Sequence, residues 1–131
     1  MKNCIICNKP LDRDNSSGYC QQHLIEKRQQ EKIRKWLEDG DIGMTVNTTI
    51  RGVIRQYILN EQKHKCAICG IQDIWNDKTL NFVMDHIDGN ALNSVRENLR
   101  LVCPNCDSQL DTFKSKNKNS PRCKRKDYIY Q

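Results

Sequence analysis

Two Cys-x-x-Cys pairs, Cys66/Cys69 and Cys103/Cys106, constrain this chain more than any other feature of its sequence. Each pair can turn two thiolates to one side of a tight bend, and two such knuckles complete the tetrahedral four-sulfur set that holds structural zinc. The 33 residues between Cys69 and Cys103 would then be closed into a metal-tied loop. Two disulfides are the competing use of these cysteines. Residues 1–14 carry no signal-peptide core, because Asn8, Lys9 and Pro10 interrupt the apolar stretch. No apolar run elsewhere approaches the roughly 18 residues of a membrane span. The expectation is a cytoplasmic chain with no membrane partner, and in a reducing compartment clustered cysteines bind metal more often than they pair.

Cys4, Cys7, Cys20 and His23 form a second set with intervals of 2, 12 and 2 residues, a ribbon-like spacing that predicts a second zinc site. If His23 were a surface histidine, three ligands would remain. Cys123, the last of the eight cysteines, reads as unpaired rather than catalytic. Only 37% of the 131 residues are hydrophobic. A core built from apolar burial alone would be thin, so metal binding is expected to supply folding free energy.

The formal charge of +6 is unevenly placed. Residues 66–111 sum to −4 and include Asp85, Asp88, Asp107 and Asp111, whereas residues 112–131 sum to +6. That tail carries Lys114, Lys116, Lys118, Arg122, Lys124, Arg125 and Lys126 against Asp127 alone. An acidic centre with basic flanks suits a chain that holds a cation in its middle and a polyanion with its ends. A solvated tail that only aids solubility is the plainer reading. Loading both sites with zinc would lower the net charge to about +3, which gives the tail more weight in any nucleic-acid affinity.

Periodicity organises the rest. Residues 1–23 are turn-rich, and residues 24–39 read as a helix with Ile25, Ile33, Trp36 and Leu37 near one face and Gly40 at its end. Residues 39–47 read as a linker. A second helix is predicted to start near Asn47 or Thr48, with Ile50, Val53, Ile54, Tyr57 and Ile58 as its apolar stripe. Arg51 and Arg55, one turn apart, either touch phosphates or face water. Residues 80–85 alternate like a strand, the Ile-Asp-Gly-Asn stretch at 87–90 signals a turn, and residues 99–103 read as a second strand. Pro104 then opens a short helix expected to reach Phe113, beyond which too few apolar residues remain to pack.

The segments Val-Met-Asp-His-Ile-Asp-Gly-Asn (83–90) and Glu-Asn-Leu-Arg-Leu-Val-Cys-Pro-Asn-Cys-Asp-Ser-Gln (97–109), set between the knuckles, resemble the HNH endonuclease family. The resemblance covers roughly residues 50–115. It implies an α+β chain: a small zinc-stapled ββα-metal nuclease module, preceded by an N-terminal zinc ribbon and helices. The boundaries read as a zinc ribbon at 1–23, a helix and linker at 24–47, the nuclease domain at 48–115 and a basic tail at 116–131. The resemblance further implies a metal-dependent enzyme that nicks or cuts double-stranded DNA. His86 is the implied general base, Asp85 a ligand for Mg²⁺ or Mn²⁺, and Asn98 the brace that holds the loop between the strands and orients the histidine.

Both Asp85 and His86 can reach one cation-bound phosphate only if the strand ends or twists near Asp85, since neighbouring strand residues face opposite ways. Many family members carry His after the second knuckle as a metal ligand, and here that position is Asp107. A carboxylate suits a hard cation, and Asp111 lies one helical turn further on. The basic residues Lys114 to Lys126 are the implied grip on DNA. Small HNH proteins are common in bacteriophages, some assisting the packaging terminase, so the analogy extends to a host-cell cytosol and that partner. The alternative is a catalytically inactive, zinc-dependent DNA-binding or adaptor protein. Asp107 favours it, and the presence of Asp85, His86 and Asn98 argues against it.

Overall fold

The computed structural model describes residues 1–40 and 48–121. The linker 41–47, the side chain of Ile50, and the tail from Arg122 onward, with Cys123, Lys124, Arg125 and Lys126, lie outside the described residues. Helix α1 (Gln21–Asp39) starts three residues earlier than its apolar periodicity indicates, with Cys20 at its N-cap. That early start draws His23 into the first helical turn. The helix stops at Gly40, whose φ of 67° is the left-handed conformation glycine adopts without strain, and whose N–H returns to the Trp36 carbonyl at 2.7 Å.

The apolar stripe of α1 is only partly used. Trp36 is buried and Ile33 packs beside it, but Ile25 and Leu37 remain exposed. Helix α2 (Thr48–Glu61) presents Ile54 and Ile58, one turn apart and fully buried, to the core. Its Tyr57 ring meets Trp36 edge-on at 5.8 Å between centroids, which fastens α2 to α1. The two arginines of α2 part company: Arg55 donates to the Phe82 carbonyl, whereas Arg51 is exposed.

After the first central knuckle comes a hairpin of β1 (Ile74–Trp75) and β2 (Lys78–Thr79). Asn76 and Asp77 both take positive φ there, as a tight two-residue hairpin turn requires. The next strand, β3 (Val83–His86), begins later and ends one residue later than the alternation predicts. Phe82 and Leu80 pack on the core ahead of the ladder. Strand β4 (Leu99–Val102) pairs antiparallel with β3, setting Asp85 opposite Arg100 and His86 opposite Leu99. A 3₁₀ turn, Arg96–Asn98, leads into β4, and helix α3 (Pro104–Ser108) follows it and lies beside β3.

Helix α3 is a single turn, not the longer helix expected to reach Phe113. Leu110 and Phe113, which would continue the apolar side begun by Cys106, are only partly buried and lie outside the core cluster, so further turns would gain little. The segment after Lys114 also departs from expectation. Instead of leaving the fold it makes a 3₁₀ turn, Lys114–Lys116, and returns the Asn117 and Asn119 side chains to the loop after β3. Hydrogen bonds, rather than apolar burial, hold it there.

The core comprises Trp36, Ile54, Ile58, Phe82, Leu99, Leu101 and Val102, and it runs directly into Cys66 and Cys103. None of the described helices is long and apolar enough to cross a membrane. Ile58 is 0% exposed and spans the joint between α2 and β4. Ile58→Ala is expected to cost about 2–5 kcal/mol of stability. Urea denaturation of the zinc-loaded protein measures it.

Candidate metal centres and active site

The two cysteine knuckles are built alike. In the N-terminal one the Cys4 N–H donates to the Lys9 carbonyl at 2.8 Å, Asn8 N–H returns to Cys4, and Asn3 bridges Pro10. In the central one the Cys66 N–H donates to the Ile71 carbonyl at 2.8 Å, Gly70 N–H returns to Cys66, and Lys65 bridges Gln72. The residue closing each turn, Asn8 or Gly70, has positive φ, 59° and 75°. Asparagine and glycine are residue types that tolerate this conformation. The remaining two ligands of each set also match: Cys20 and Cys103 are helix N-caps, and His23 and Cys106 lie three residues into α1 and α3. The second Cys-x-x-Cys is therefore a helix start in disguise.

Each set brings its four donor atoms within 4.8 Å of one another. Cys7 Sγ lies 3.8 Å from Cys20 Sγ, and Cys69 Sγ lies 3.7 Å from Cys103 Sγ. Those are the edges of a tetrahedron whose centre sits about 2.3 Å from each sulfur, the zinc–thiolate distance. His23 turns Nδ1 toward Cys4 and Cys20, at 3.4 and 3.2 Å, while its Nε2 faces the Glu26 carboxylate at 3.9 Å. A carboxylate behind the ring is the usual support of a zinc-bound histidine. Burial alone would raise the Cys4 thiol, but N–H groups of Cys7, Cys20 and Ile6 bring it down to about 5. In the central set the N–H groups of Cys103, Cys69 and Ile68 likewise overcome burial and hold Cys66 at about 6. Both sets could hold zinc.

β3 carries Asp85 and His86 between these centres. Asp85 is 7% exposed, and its Oδ2 accepts from Arg100 Nε at 2.7 Å across the ladder. The ladder is paired through His86 and the strand ends there, one residue after Asp85. His86 is half-buried. Burial first, reinforced by the Arg51 charge and opposed by Asp85 and Asp88, leaves its imidazole below the ordinary 6.5 and hence neutral at pH 7. Among the described residues the imidazole has no hydrogen-bond partner, while the His86 carbonyl accepts from the Gly89 N–H at 2.7 Å. Asp107 is partly exposed in the first turn of α3, and Asp111 is exposed beyond it.

Asn98 is 8% exposed and hydrogen-bonds within the loop between the strands. Its Oδ1 accepts from the Asp88 N–H at 3.0 Å, and its Nδ2 donates to Asp88 Oδ1 and the Asn93 carbonyl at 2.9 and 2.8 Å. It fixes the loop that leaves His86 rather than touching the imidazole. The Asn93 side chain, the Asn90 N–H and Asn98 together hold the Asp88 carboxyl below its usual range. From outside, Asn117 donates to the Gly89 carbonyl at 2.8 Å and Asn119 to the Asp88 carbonyl at 3.0 Å. Gly89 has φ of 75°, and a Cβ there would strike the Asn117 amide.

Sequence reasoning missed several of these residues. Gln62 gives Oε1 to the Leu101 N–H and Nε2 to the Leu101 carbonyl, at 2.8 and 2.9 Å, filling the outer edge of β4 as a strand would. Asn117, Asn119 and the Asp85–Arg100 pair were equally hidden. Only the Arg100 charge opposite an acidic strand was a signal, and it needed the register to be read. Lys114, Lys116 and Lys118 are exposed, and the last two flank Asn117 beside the His86 loop. Among the described residues the two cysteine sets are the only clusters of three or more close His, Cys, Asp or Glu donors. Asp85 and Asp107 thus offer carboxylate oxygens without a preassembled cage. A carboxylate oxygen is the hard type of donor that Mg²⁺ takes.

Over 66 residues, 49% of its length, the chain is 41% identical to H-N-H endonuclease F-TflIV of Escherichia phage T5. The aligned stretch is 29% of that relative, so the chain spans under a third of the protein it matches. No family model matches the chain, and no solved structure does. The similarity bears out the resemblance to the HNH endonuclease family drawn from residues 83–90 and 97–109.

The Asn98 brace has a measurable signature. Asn98→Ala leaves the Asp88 N–H and the Asn93 carbonyl unpaired and is expected to cost about 1–3 kcal/mol. Amide exchange at Asp88 and Gly89 should accelerate. Asn117→Ala should speed exchange at Gly89 with a smaller effect on global stability, and hydrogen exchange read residue by residue checks both.

Proposed function

We propose that this chain is a metal-dependent endonuclease that hydrolyses phosphodiester bonds of double-stranded DNA, with two structural zinc ions and Mg²⁺ or Mn²⁺ at the reacting centre. The observation that carries this reading is a neutral, half-buried His86 at the end of β3, followed at once by a loop that Asn98 braces. Likeness to a phage H-N-H endonuclease supports it. His86 accepts a proton from water as the water oxygen attacks phosphorus. The bond from phosphorus to the leaving oxygen breaks, and solvent protonates that oxygen. A neutral imidazole suits the first task near pH 7. Asn98 keeps the strand end from shifting as charge builds on His86.

Asp85 and Asp107 are the residues that would hold the cation, which supplies positive charge to the phosphate and the leaving oxygen. Arg100 competes for one oxygen of Asp85 and fixes that side chain in place. Arg51, exposed and felt electrostatically at His86, is well suited to a phosphate oxygen. Lys114, Lys116 and Lys118, with Arg122, Lys124, Arg125 and Lys126 of the tail, add the sequence-independent grip.

Supercoiled plasmid tests the reading. The wild-type protein should nick or linearise it with Mg²⁺ or Mn²⁺, and His86→Ala should lose about 10²–10⁴-fold in rate while still binding DNA. Equal cleavage by the variant removes His86 from the mechanism, and DNA binding without cleavage by the wild type favours the adaptor alternative. Asp107→His should keep activity and move metal preference toward softer ions, whereas Asp107→Ala should weaken both metal binding and cleavage.

Elemental analysis should find about two zinc ions per chain, and their chelation should unfold the nuclease module. One zinc would mean that Cys4, Cys7, Cys20 and His23 do not form a site.

A further inference from the structure

The cations of α1 are not equivalent once their neighbours are known. Arg34 is held between Glu31 and Glu38, its Nη1 meeting Glu38 at 2.7 Å. Lys27 Nζ sits over the Tyr19 ring, 4.5 Å from its centroid. Arg28, Lys32 and Lys35 have no carboxylate partner among the described residues. These three follow one another at intervals of four and three residues, so they share one side of the helix. They span about 10 Å along the axis, at 1.5 Å per residue. One strand of duplex DNA presents a phosphate about every 3.4 Å along its axis, so the stripe matches about three.

Where this stripe leads gives it meaning. Trp36, next to Lys35, donates Nε1–H to the Ser94 carbonyl at 2.6 Å, and Gly40 lies so close to Val95 that a Cβ would meet it. The end of α1 is therefore docked on the loop whose Asn93 belongs to the Asn98 and Asp88 network behind His86. Its other end is the His23 zinc module. Asp39 closes the stripe one turn beyond Lys35.

We propose that Arg28, Lys32 and Lys35 form a backbone track for duplex DNA, along which α1 carries the helix from the N-terminal zinc module to the loop beside His86. The inference rests on the nuclease reading for its choice of polyanion. The zinc module then acts as an anchor that orients a phosphate-binding ridge. The paired cations of the same helix, Arg34 and Lys27, take no part.

The salt dependence of binding to a short duplex is the test, measured in the His86→Ala background so that the DNA survives. Arg28→Gln, Lys32→Gln and Lys35→Gln together should flatten the slope of log affinity against log salt by about 2–3, near 0.9 for each lost phosphate contact. Each single variant should give about a third of that. Arg34→Gln with Lys27→Gln should leave the slope where it was. A triple variant with the parental slope, or a control pair that flattens it equally, overturns the proposal. So does a parental protein that binds no duplex. The nuclease reading fails separately: a wild-type chain that shows the slope change but never cuts plasmid keeps the track and loses the enzyme.

Discussion

Four sulfur atoms hold the centre of this molecule together. Cys66 and Cys69 lie just after α2, Cys103 and Cys106 at the start of α3, and a dication between them would tie segments 33 residues apart. The tie is continuous with the apolar core, since Cys66 and Cys103 are both 4% exposed and pack against Leu101, Val102 and Ile58. Ala67 N–H reaches the Leu101 carbonyl at 3.0 Å, so the first knuckle also fastens β4. With β4 fixed, antiparallel pairing fixes β3, and β3 delivers His86. A structural metal in this set would add folding free energy to a core with few apolar residues.

Polar bonding carries the next layer of order. The loop from Ile87 to Ser94 leaves its large apolar side chains, Ile87 and Leu92, exposed, so hydrogen bonds hold it. Asn98 serves it from beneath with three hydrogen bonds, Asn117 and Asn119 from above. A buried amide can do this because it donates and accepts at one place. Glycine at position 89 lets the outer strap approach closely. The acidic character of residues 66–111 follows the same logic: Asp85 is matched by Arg100, Asp88 by amides, and Asp107 lies in the first turn of α3, where a negative charge is favoured by the helix dipole.

The two metal modules share a plan and differ in what they enclose. Twelve residues separate the halves of the N-terminal set, enough for a loop that Asn15 stitches together by accepting from the Ser17 and Gly18 N–H groups. Thirty-three residues separate the halves of the central set, enough for two hairpin-like pairs and the loop after His86. The first module therefore ends in a long helix that reaches the second, and the second ends in a helix of one turn beside β3.

The two cysteine groupings, both long helices and the turn after His86 were legible in the sequence because each is encoded locally. A Cys-x-x-Cys interval, a 3.6-residue apolar period and an Asp-Gly turn state their geometry within a few residues. Tertiary structure alone decided that Arg55 binds a carbonyl while Arg51 stands near His86, and that Gln62 completes the edge of β4. It also returned residues 117–119 to the loop. Such contacts join residues 20 to 40 positions apart, and strand register and helix docking set them. Neither is determined until the core has closed, so no local pattern could have carried the information.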